Sequence, residues 1–219
     1  MSLDIEYVSD WNVQDALREL FQNAIDHGDW KWEFKAGVLT ITSKNVSLTT
    51  RSLLLGHSKK KDGAIGKFGE GYKLASLVLK RLGHMMYIYT GDECWTPNII
   101  KSRTYKTQQL VFDVTKAFDT TEDTIFRVEG IDHQTFSGLM DRNLHLRDAS
   151  FVANTSMGRI LSEDYAGKVF VNGLWVCNIE KMVHGYDMKP SAITLDRDRR
   201  IVRDFDLQWR TCQMWAENT

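Results

Sequence analysis

Residues 13–27 carry the strongest periodic signal in the chain, and it predicts an amphipathic helix. Its apolar side chains recur every three or four residues, which is the period of one face of an α-helix. They are Val13, Ala16, Leu17, Leu20, Phe21, Ala24 and Ile25. Asn12 is a suitable N-cap for this helix, and Gly28 is a suitable stop. The pattern therefore predicts one helix with an apolar and a polar face.

Strand and helix signals follow one another along the next part of the chain. A β-hairpin is predicted over residues 30–34 and 38–42, around Ala36-Gly37, and a short helix over 48–55. Residues 57–71 are rich in Gly and Lys and predict a loop that leads into a helix over 72–82. Strands are predicted over 85–90, 109–114 and 124–129, and a helix over 135–144. This mixed order predicts an α+β fold.

The pattern is weaker beyond residue 146. It predicts strands over 158–161 and 168–177, the second broken by an Asn172-Gly173 turn, and a closing helix over 205–216. We place a domain boundary at residue 147, which gives a main domain of residues 1–147 and a C-terminal extension of residues 148–219. Because no Gly/Ser-rich linker separates them, we expect the extension to pack on the main domain.

Net charge, cysteine spacing and hydropathy indicate the compartment and the classes of partner that this chain favours. The 28 basic and 29 acidic residues leave a formal charge of -1, so net charge does not indicate a nucleic-acid partner. The three cysteines lie far apart, which fits a reducing compartment. No apolar run approaches the roughly 18 residues of a membrane span, and the N-terminus does not resemble a signal peptide. We therefore expect a cytoplasmic protein without a membrane partner, or one in a host cytoplasm if it is viral.

The predicted first helix carries a carboxylate and an amide that can act together. Glu19 and Asn23 are four residues apart and so project from neighbouring turns of one face. Hydrolysis of a phosphoanhydride needs an oriented water and a hard cation that bridges phosphate oxygens. A Glu can polarise the water, and an Asn carbonyl suits the cation. By itself this pair is also compatible with an ordinary solvated helix face.

A glycine-rich run precedes the second helix. Gly66, Gly69 and Gly71 let the backbone approach a phosphate closely, and the helix that follows presents its positive end. The run lacks the Gly-Lys-Ser/Thr of a Walker loop and does not follow a strand as a dinucleotide fingerprint does. It predicts a polyphosphate-binding loop, with an ordinary turn as the alternative.

The two motifs together resemble those of the GHKL ATPase superfamily, which includes gyrase, heat-shock chaperones, histidine kinases and MutL. The first matches the Glu-x-x-x-Asn N box, and the second matches the Gly-x-x-Gly-x-Gly lid motif. In style they are closest to MORC-like and prokaryotic or phage ATP-binding proteins. The resemblance covers roughly residues 10–144. It implies a two-layer α/β sandwich, the Bergerat ATP-binding fold, here with a small C-terminal α+β extension.

The resemblance also implies residue roles, with ATP and Mg²⁺ as cofactors. Glu19 would be the general base, Asn23 the Mg²⁺ ligand, and Asp26 a neighbour of the nucleotide on the same face. The phosphates would be wrapped by Gly66, Lys67, Phe68, Gly69, Glu70 and Gly71. Ser58 and Lys59 would approach the β- or γ-phosphate, while Lys73 is left as a site residue or an exposed helix residue. Thr124 would lie on a late strand near adenine.

One departure from the family pattern concerns the base. Family members usually carry Asp-x-Gly-x-Gly after the second hairpin strand, and its Asp accepts a hydrogen bond from the adenine amino group. Here Ser43 replaces the Asp, and both glycines are lost. A hydroxyl can accept the bond but gives up its charge-assisted part, about 1 kcal/mol. Asn45 or backbone groups are alternative contacts, and selectivity for adenine stays open.

Three functions follow from these observations. The first is a slow Mg-dependent ATPase coupled to closure of a lid formed by residues 57–71, with a homodimer formed on ATP binding. The second is a nucleotide-gated binding module with negligible turnover. The third is a phage-like or viral, host-directed protein that binds a protein partner through the C-terminal extension. Arg197 and Arg199 lie in this extension. They either belong to a solvated charge cluster or contact a phosphate group, of the nucleotide or of a nucleic-acid backbone.

Overall fold

The computed structural model describes residues 3–53, 71–102, 106–193 and 204–218. Within them the chain forms four α-helices and two β-sheets, which confirms the predicted mixed α/β class. The helices are α1 (Val13–His27), α2 (Gly71–Arg81), α3 (His133–Asp141) and α4 (Asp204–Ala216). The strands are β1 (Leu3–Asp4), β2 (Trp30–Lys35), β3 (Val38–Ser43), β4 (Met85–Lys101), β5 (Gln108–Glu129), β6 (Phe151–Thr155), β7 (Gly158–Leu161), β8 (Lys168–Val171), β9 (Leu174–Asn178) and β10 (Tyr186–Met188).

The chain divides into two compact units, Met1–Leu139 and Met140–Thr219. The boundary expected from the sequence, residue 147, lies a short way inside the second unit. Helix α3 spans the division. Among the described residues, no helix is long and apolar enough to cross a membrane.

Helix α1 begins and ends where its caps predict. The Asn12 side chain accepts hydrogen bonds from the backbone N–H groups of Gln14 (2.8 Å) and Asp15 (3.2 Å). The Asp15 carboxylate in turn accepts one from the Asn12 N–H at 3.0 Å, which completes a capping box. Gly28 ends the helix with a φ of 100°. Two of the otherwise unpaired N–H groups of the first turn are therefore satisfied within the chain.

Strands β2 and β3 form the predicted hairpin. Ala36 and Gly37 both have positive φ, 50° and 76°, as a two-residue turn of the primed type requires. The register places Trp30 opposite Ser43. Trp30 and Phe34 lie on the same face of β2 and contact two helices. The Phe21 ring of α1 lies edge-on to Trp30 with the ring centres 5.8 Å apart, and the Phe136 ring of α3 stacks on Phe34 with the ring centres 4.0 Å apart.

The first sheet is dominated by two long strands that the sequence did not predict. It has the order β1-β5-β3-β2, with β4 paired to β5. The short strand expected over 85–90 continues as β4 to Lys101, and the strands expected over 109–114 and 124–129 are one strand, β5. Register shifts after Thr90 and Gly91 interrupt the ladder. A bulge of this kind leaves extra residues unpaired and breaks the two-residue alternation that identifies a strand.

Helices α1 and α2 pack against each other and against the sheet, α1 on β3 and α2 on β4. The fully buried side chains of this layer include Leu17, Leu20, Phe21, Leu39, Ile41, Leu77, Leu79 and Ile88. Arg81, at the end of α2, donates hydrogen bonds to the carbonyls of Ile5, Tyr7, Val8 and Trp11. The segment that leads into α1 is therefore attached to the end of α2.

The second unit is a five-stranded sheet in the order β6-β7-β10-β8-β9, with β10 parallel to β8. Its core includes Leu207 and Met214 of α4. The predicted Asn172-Gly173 turn joins β8 to β9, and both residues have positive φ. Strands β6 and β10 were not predicted, and β10 has only three residues, too few for an alternating pattern. The helix expected over 48–55 is a 3-10 turn at Thr50–Leu53, with residues 54 and 55 outside the described residues.

Candidate functional site

Most of the polar face of α1 is buried, like its apolar face. Ala16, Leu17, Leu20, Phe21 and Ala24 are fully buried. Of the polar residues, Glu19 and Gln22 are only 2% exposed, and Asp15 and Asn23 are 9% exposed. Removing polar side chains from water is unfavourable unless they find partners. A buried face of this composition therefore marks a candidate site.

Glu19 and Asn23 lie against the first residue of α2. A Cβ atom built on Gly71 would be 2.7 Å from Glu19 Oε2 and 3.2 Å from Asn23 Nδ2. Only a glycine leaves these side chains undisturbed at such a distance. The backbone N–H groups at the start of a helix carry partial positive charge. The structure thus brings the carboxylate and amide of one predicted motif to the final glycine of the other.

Hydrogen bonds orient both side chains. Arg18 Nη2 is 3.3 Å from Glu19 Oε1, so this carboxylate oxygen faces the guanidinium while Oε2 faces Gly71. Asn23 Nδ2 donates to the Glu19 carbonyl oxygen at 2.9 Å. The Arg18 guanidinium itself lies 5.9 Å from the centre of the Trp11 ring, within the range of a cation–π contact.

Three hydroxyl groups form a row across the end of the sheet. Ser43 pairs with Thr124 in the β3–β5 register, and Thr124 pairs with Thr90 in the β4–β5 register. All three are 1% to 2% exposed. Thr124 Oγ1 donates to the Val46 carbonyl at 2.6 Å, and Thr90 Oγ1 accepts from the Leu48 N–H at 2.8 Å. Ser43 Oγ has no hydrogen-bond partner among the described residues, so a buried hydroxyl is left available to a ligand.

The segment after β3 is fastened beside this row by an ion pair. Lys44 Nζ lies 2.8 Å from Asp123 Oδ2, and the Asn45 N–H donates to Asp123 Oδ1 at 3.0 Å. The hydrogen bond from Lys44 lowers the pKa of Asp123, and the same bond raises the pKa of Lys44. Asn45 has a φ of 52° and is exposed. The backbone of this segment supplies the carbonyl that Thr124 binds.

The remaining predicted residues divide into two groups. Asp26 is half-buried, one turn beyond Asn23 on α1. Lys73 is only 2% exposed, with Nζ 5.7 Å from the centre of the Tyr72 ring, so the exposed alternative for Lys73 is wrong. Outside the described residues lie Ser58, Lys59, Gly66, Lys67, Phe68, Gly69, Glu70, Arg197 and Arg199, with the rest of the predicted lid over 57–70.

Sequence reasoning overlooked Arg18 and Gln22. They are four residues apart on α1, and both have a buried side-chain nitrogen with no hydrogen-bond partner among the described residues. Arg and Gln on the polar side of an amphipathic helix are normally solvated. Their spacing relative to Glu19 was visible in the sequence, but only packing shows that they are enclosed.

Comparison with known proteins finds remote likenesses. No family model matches the chain. A Mycoplasma pneumoniae protein described as uncharacterized is 26% identical over 209 residues, which cover 86% of this chain and 83% of that protein. Among solved structures, the ATPase region of Saccharomyces cerevisiae topoisomerase II bound to ICRF-187 (dexrazoxane) is similar at a TM-score of 0.44 and 9% identity. The same ATPase region in a second structure has a TM-score of 0.42 and 10% identity. In both comparisons the likeness covers 74% of this chain and 62% of the solved chain.

Proposed function

We propose that this chain is a Mg-dependent ATP-binding protein of the GHKL type that hydrolyses ATP slowly. The observation that carries the proposal is the meeting of Glu19 and Asn23 with Gly71. At this point the buried Glu19 carboxylate and the Asn23 amide lie beside the start of α2. Phosphoryl transfer to water needs such a set of groups, because one must orient the water and the others must bind the metal ion and the phosphates. The resemblance of the two motifs to the N box and lid of that superfamily supports the same assignment.

The reaction follows from the orientation of Glu19. Its Oε2 accepts a proton from a water molecule, whose oxygen attacks the γ-phosphorus of ATP. The bond between that phosphorus and the oxygen bridging to the β-phosphate breaks, and the electron pair stays on ADP. The products are ADP and inorganic phosphate. Arg18, bound to Oε1, limits rotation of the carboxylate so that Oε2 remains directed at Gly71.

The donor set fits a magnesium ion bound together with the nucleotide. Because Asn23 Nδ2 donates to the Glu19 carbonyl, the amide oxygen Oδ1 is the Asn23 atom suited to a hard cation. Asp26, one turn further, adds a carboxylate on the same face. When bound, Mg²⁺ neutralises charge on the phosphate oxygens and needs few protein ligands. Asn23 would therefore hold the ion while the phosphates supply its other ligands.

Two further parts of the proposal concern the ends of the nucleotide. Phosphate contacts are assigned to the glycine run, with Ser58 and Lys59 at the β- or γ-phosphate and the loop closing as a lid. The base is assigned to the end of the sheet. There Thr124 is occupied by the Val46 carbonyl, whereas Ser43 Oγ has no partner among the described residues. Ser43 would therefore contact the base directly or through water.

The decisive experiment combines nucleotide binding with turnover. ATP, ADP and GTP are titrated calorimetrically with Mg²⁺, and phosphate release is measured for the wild type and for Glu19→Gln. Glu19→Gln keeps the shape of the side chain and should bind Mg·ATP normally, with release slowed by roughly 10² to 10⁴. The matched control is Glu33→Gln, at an exposed position of β2. Absence of nucleotide binding by the wild type would contradict the proposal.

A nucleotide-gated module without turnover is the second candidate. It is favoured by the neutral Ser43 in the position where the resembled family carries an Asp, which indicates that the pocket has departed from the ATPase pattern. Tight Mg·ATP binding with no phosphate release in the wild type would identify this function. Measuring molecular mass with and without a non-hydrolysable ATP analogue would test whether ATP binding also drives homodimer formation.

A further inference from the structure

The side-chain amide of Gln22 has no role in the reaction proposed above. Its side chain is on the polar face of α1, one turn from Glu19, and the residue is 2% exposed. Its Nε2 is buried and has no acceptor among the described residues. Buried donors in folded proteins nearly always find an acceptor, so this amide calls for an acceptor from outside the protein, which is a ligand oxygen or a water.

Arg18 supplies a second donor beside it. Arg18 and Gln22 are four residues apart and therefore neighbours on the helix surface. Arg18 Nε is also buried without a partner among the described residues, while Nη2 of the same guanidinium is held by Glu19 Oε1 at 3.3 Å. The Glu19 carboxylate therefore holds one edge of the planar guanidinium, and the Nε–H group can donate to another acceptor.

Building on the ATP-binding function proposed above, we infer that Arg18 and Gln22 bind the terminal phosphate of the nucleotide. Both groups are donors, and one carries a positive charge, so the complementary group is an anionic oxygen with lone pairs. Both residues are neighbours of Glu19 on the helix, and its carboxylate takes the proton of the water that attacks the γ-phosphorus. The γ-phosphate, which is the phosphate nearest Glu19 and is absent from ADP, is therefore the one whose oxygens accept hydrogen bonds from Gln22 Nε2 and Arg18 Nε.

This assignment is tested by comparing nucleotides with and without a γ-phosphate. Calorimetric titrations with a non-hydrolysable ATP analogue and with ADP, both with Mg²⁺, are carried out on the wild type and on Gln22→Met. The substitution keeps the length of the side chain and removes its N–H groups. We expect affinity for the ATP analogue to fall about tenfold or more, with ADP affinity unchanged within about twofold. Equal losses for the two nucleotides, or no loss, would overturn the inference.

The matched control is Gln14→Met, which makes the same change on the same helix at a half-buried position. This variant should bind both the ATP analogue and ADP with the affinity of the wild type. If Gln22→Met does not fold, as judged by circular dichroism and thermal melting, Gln22→Leu takes its place, because it also removes the N–H donor and adds no charge.

Arg18 is tested in the same titrations. Arg18→Met should lower the affinity for the ATP analogue about tenfold or more and leave the affinity for ADP unchanged within about twofold, and Arg18→Lys should recover part of the loss because it restores a positive charge. Equal affinities of Arg18→Lys and Arg18→Met for the analogue would overturn the assignment for this residue. The outcomes separate the two proposals. A wild type that binds no nucleotide refutes the ATP-binding function itself, whereas a wild type that binds while Gln22→Met leaves the analogue's affinity intact refutes only the terminal-phosphate contact.

Discussion

Replacing Gly71 with alanine tests whether the approach of α2 to Glu19 controls turnover. The new Cβ would lie 2.7 Å from Glu19 Oε2, whereas ordinary contacts begin near 3.4 Å, so the carboxylate must move by about 0.7 Å. It has little room to do so, because the side chain is 3% exposed and Arg18 holds the other oxygen at 3.3 Å. A misplacement near 1 Å can cost roughly 10²-fold in rate, so we expect kcat to fall about tenfold to a hundredfold.

Stability should respond differently from activity. Gly71 is the first residue of α2, so alanine fits its helical backbone. Alanine is favoured over glycine within helices by about 0.5–1 kcal/mol, which offsets the displaced carboxylate. The free energy of unfolding, measured by urea denaturation, should therefore change by less than about 1 kcal/mol.

A matched control separates the site from the general effect of the substitution. Gly138→Ala also introduces a methyl group into a helix, where its nearest neighbour is the amide end of the half-buried Gln14 side chain. This variant should retain phosphate release. Full activity of Gly71→Ala at normal stability would refute the reasoning, and so would equal losses of activity in the two variants.

Two further predictions concern elements that support the site. Arg81 donates hydrogen bonds to four backbone carbonyls of residues 5–11, so Arg81→Met should lower the free energy of unfolding by about 2 kcal/mol, and Arg81→Lys should recover only part of it. Urea denaturation measures this, and faster amide exchange in residues 5–11 should accompany it. Burial raises the pKa of Tyr72 from 10.0 to about 12, although its hydrogen bond with Ser52 opposes the shift. The unfolded chain therefore loses the proton first, so stability is complete below pH 10 and falls by roughly 2–3 kcal/mol towards pH 12. This loss should be absent in Tyr72→Phe, and an unchanged pH dependence in that variant would contradict the assignment.

Part of the site was accessible from the sequence. The spacing of Glu19 and Asn23 on a periodic helix, and a glycine run before a second helix, required only local rules. That Gly71 touches both side chains, and that Ser43 and Thr124 are adjacent, depends on strand register and helix packing. Arg18 and Gln22 were overlooked because their residue types are typical of exposed helix faces. The proposed roles of all these residues stay predictions.

Elements with purely local signals were predictable from the residues that form them. Helix α1 has the predicted bounds because the Asn12 cap, the apolar period and Gly28 agree, and the Ala36-Gly37 turn sets the β2–β3 hairpin. The extent of β4 and β5 depends on long-range pairing, because a bulge interrupts their alternation and their ladder joins residues far apart in the chain. Enclosure of the polar face of α1 depends on packing in the same way. Burial depends on what packs above a helix, and the composition of the helix does not specify that.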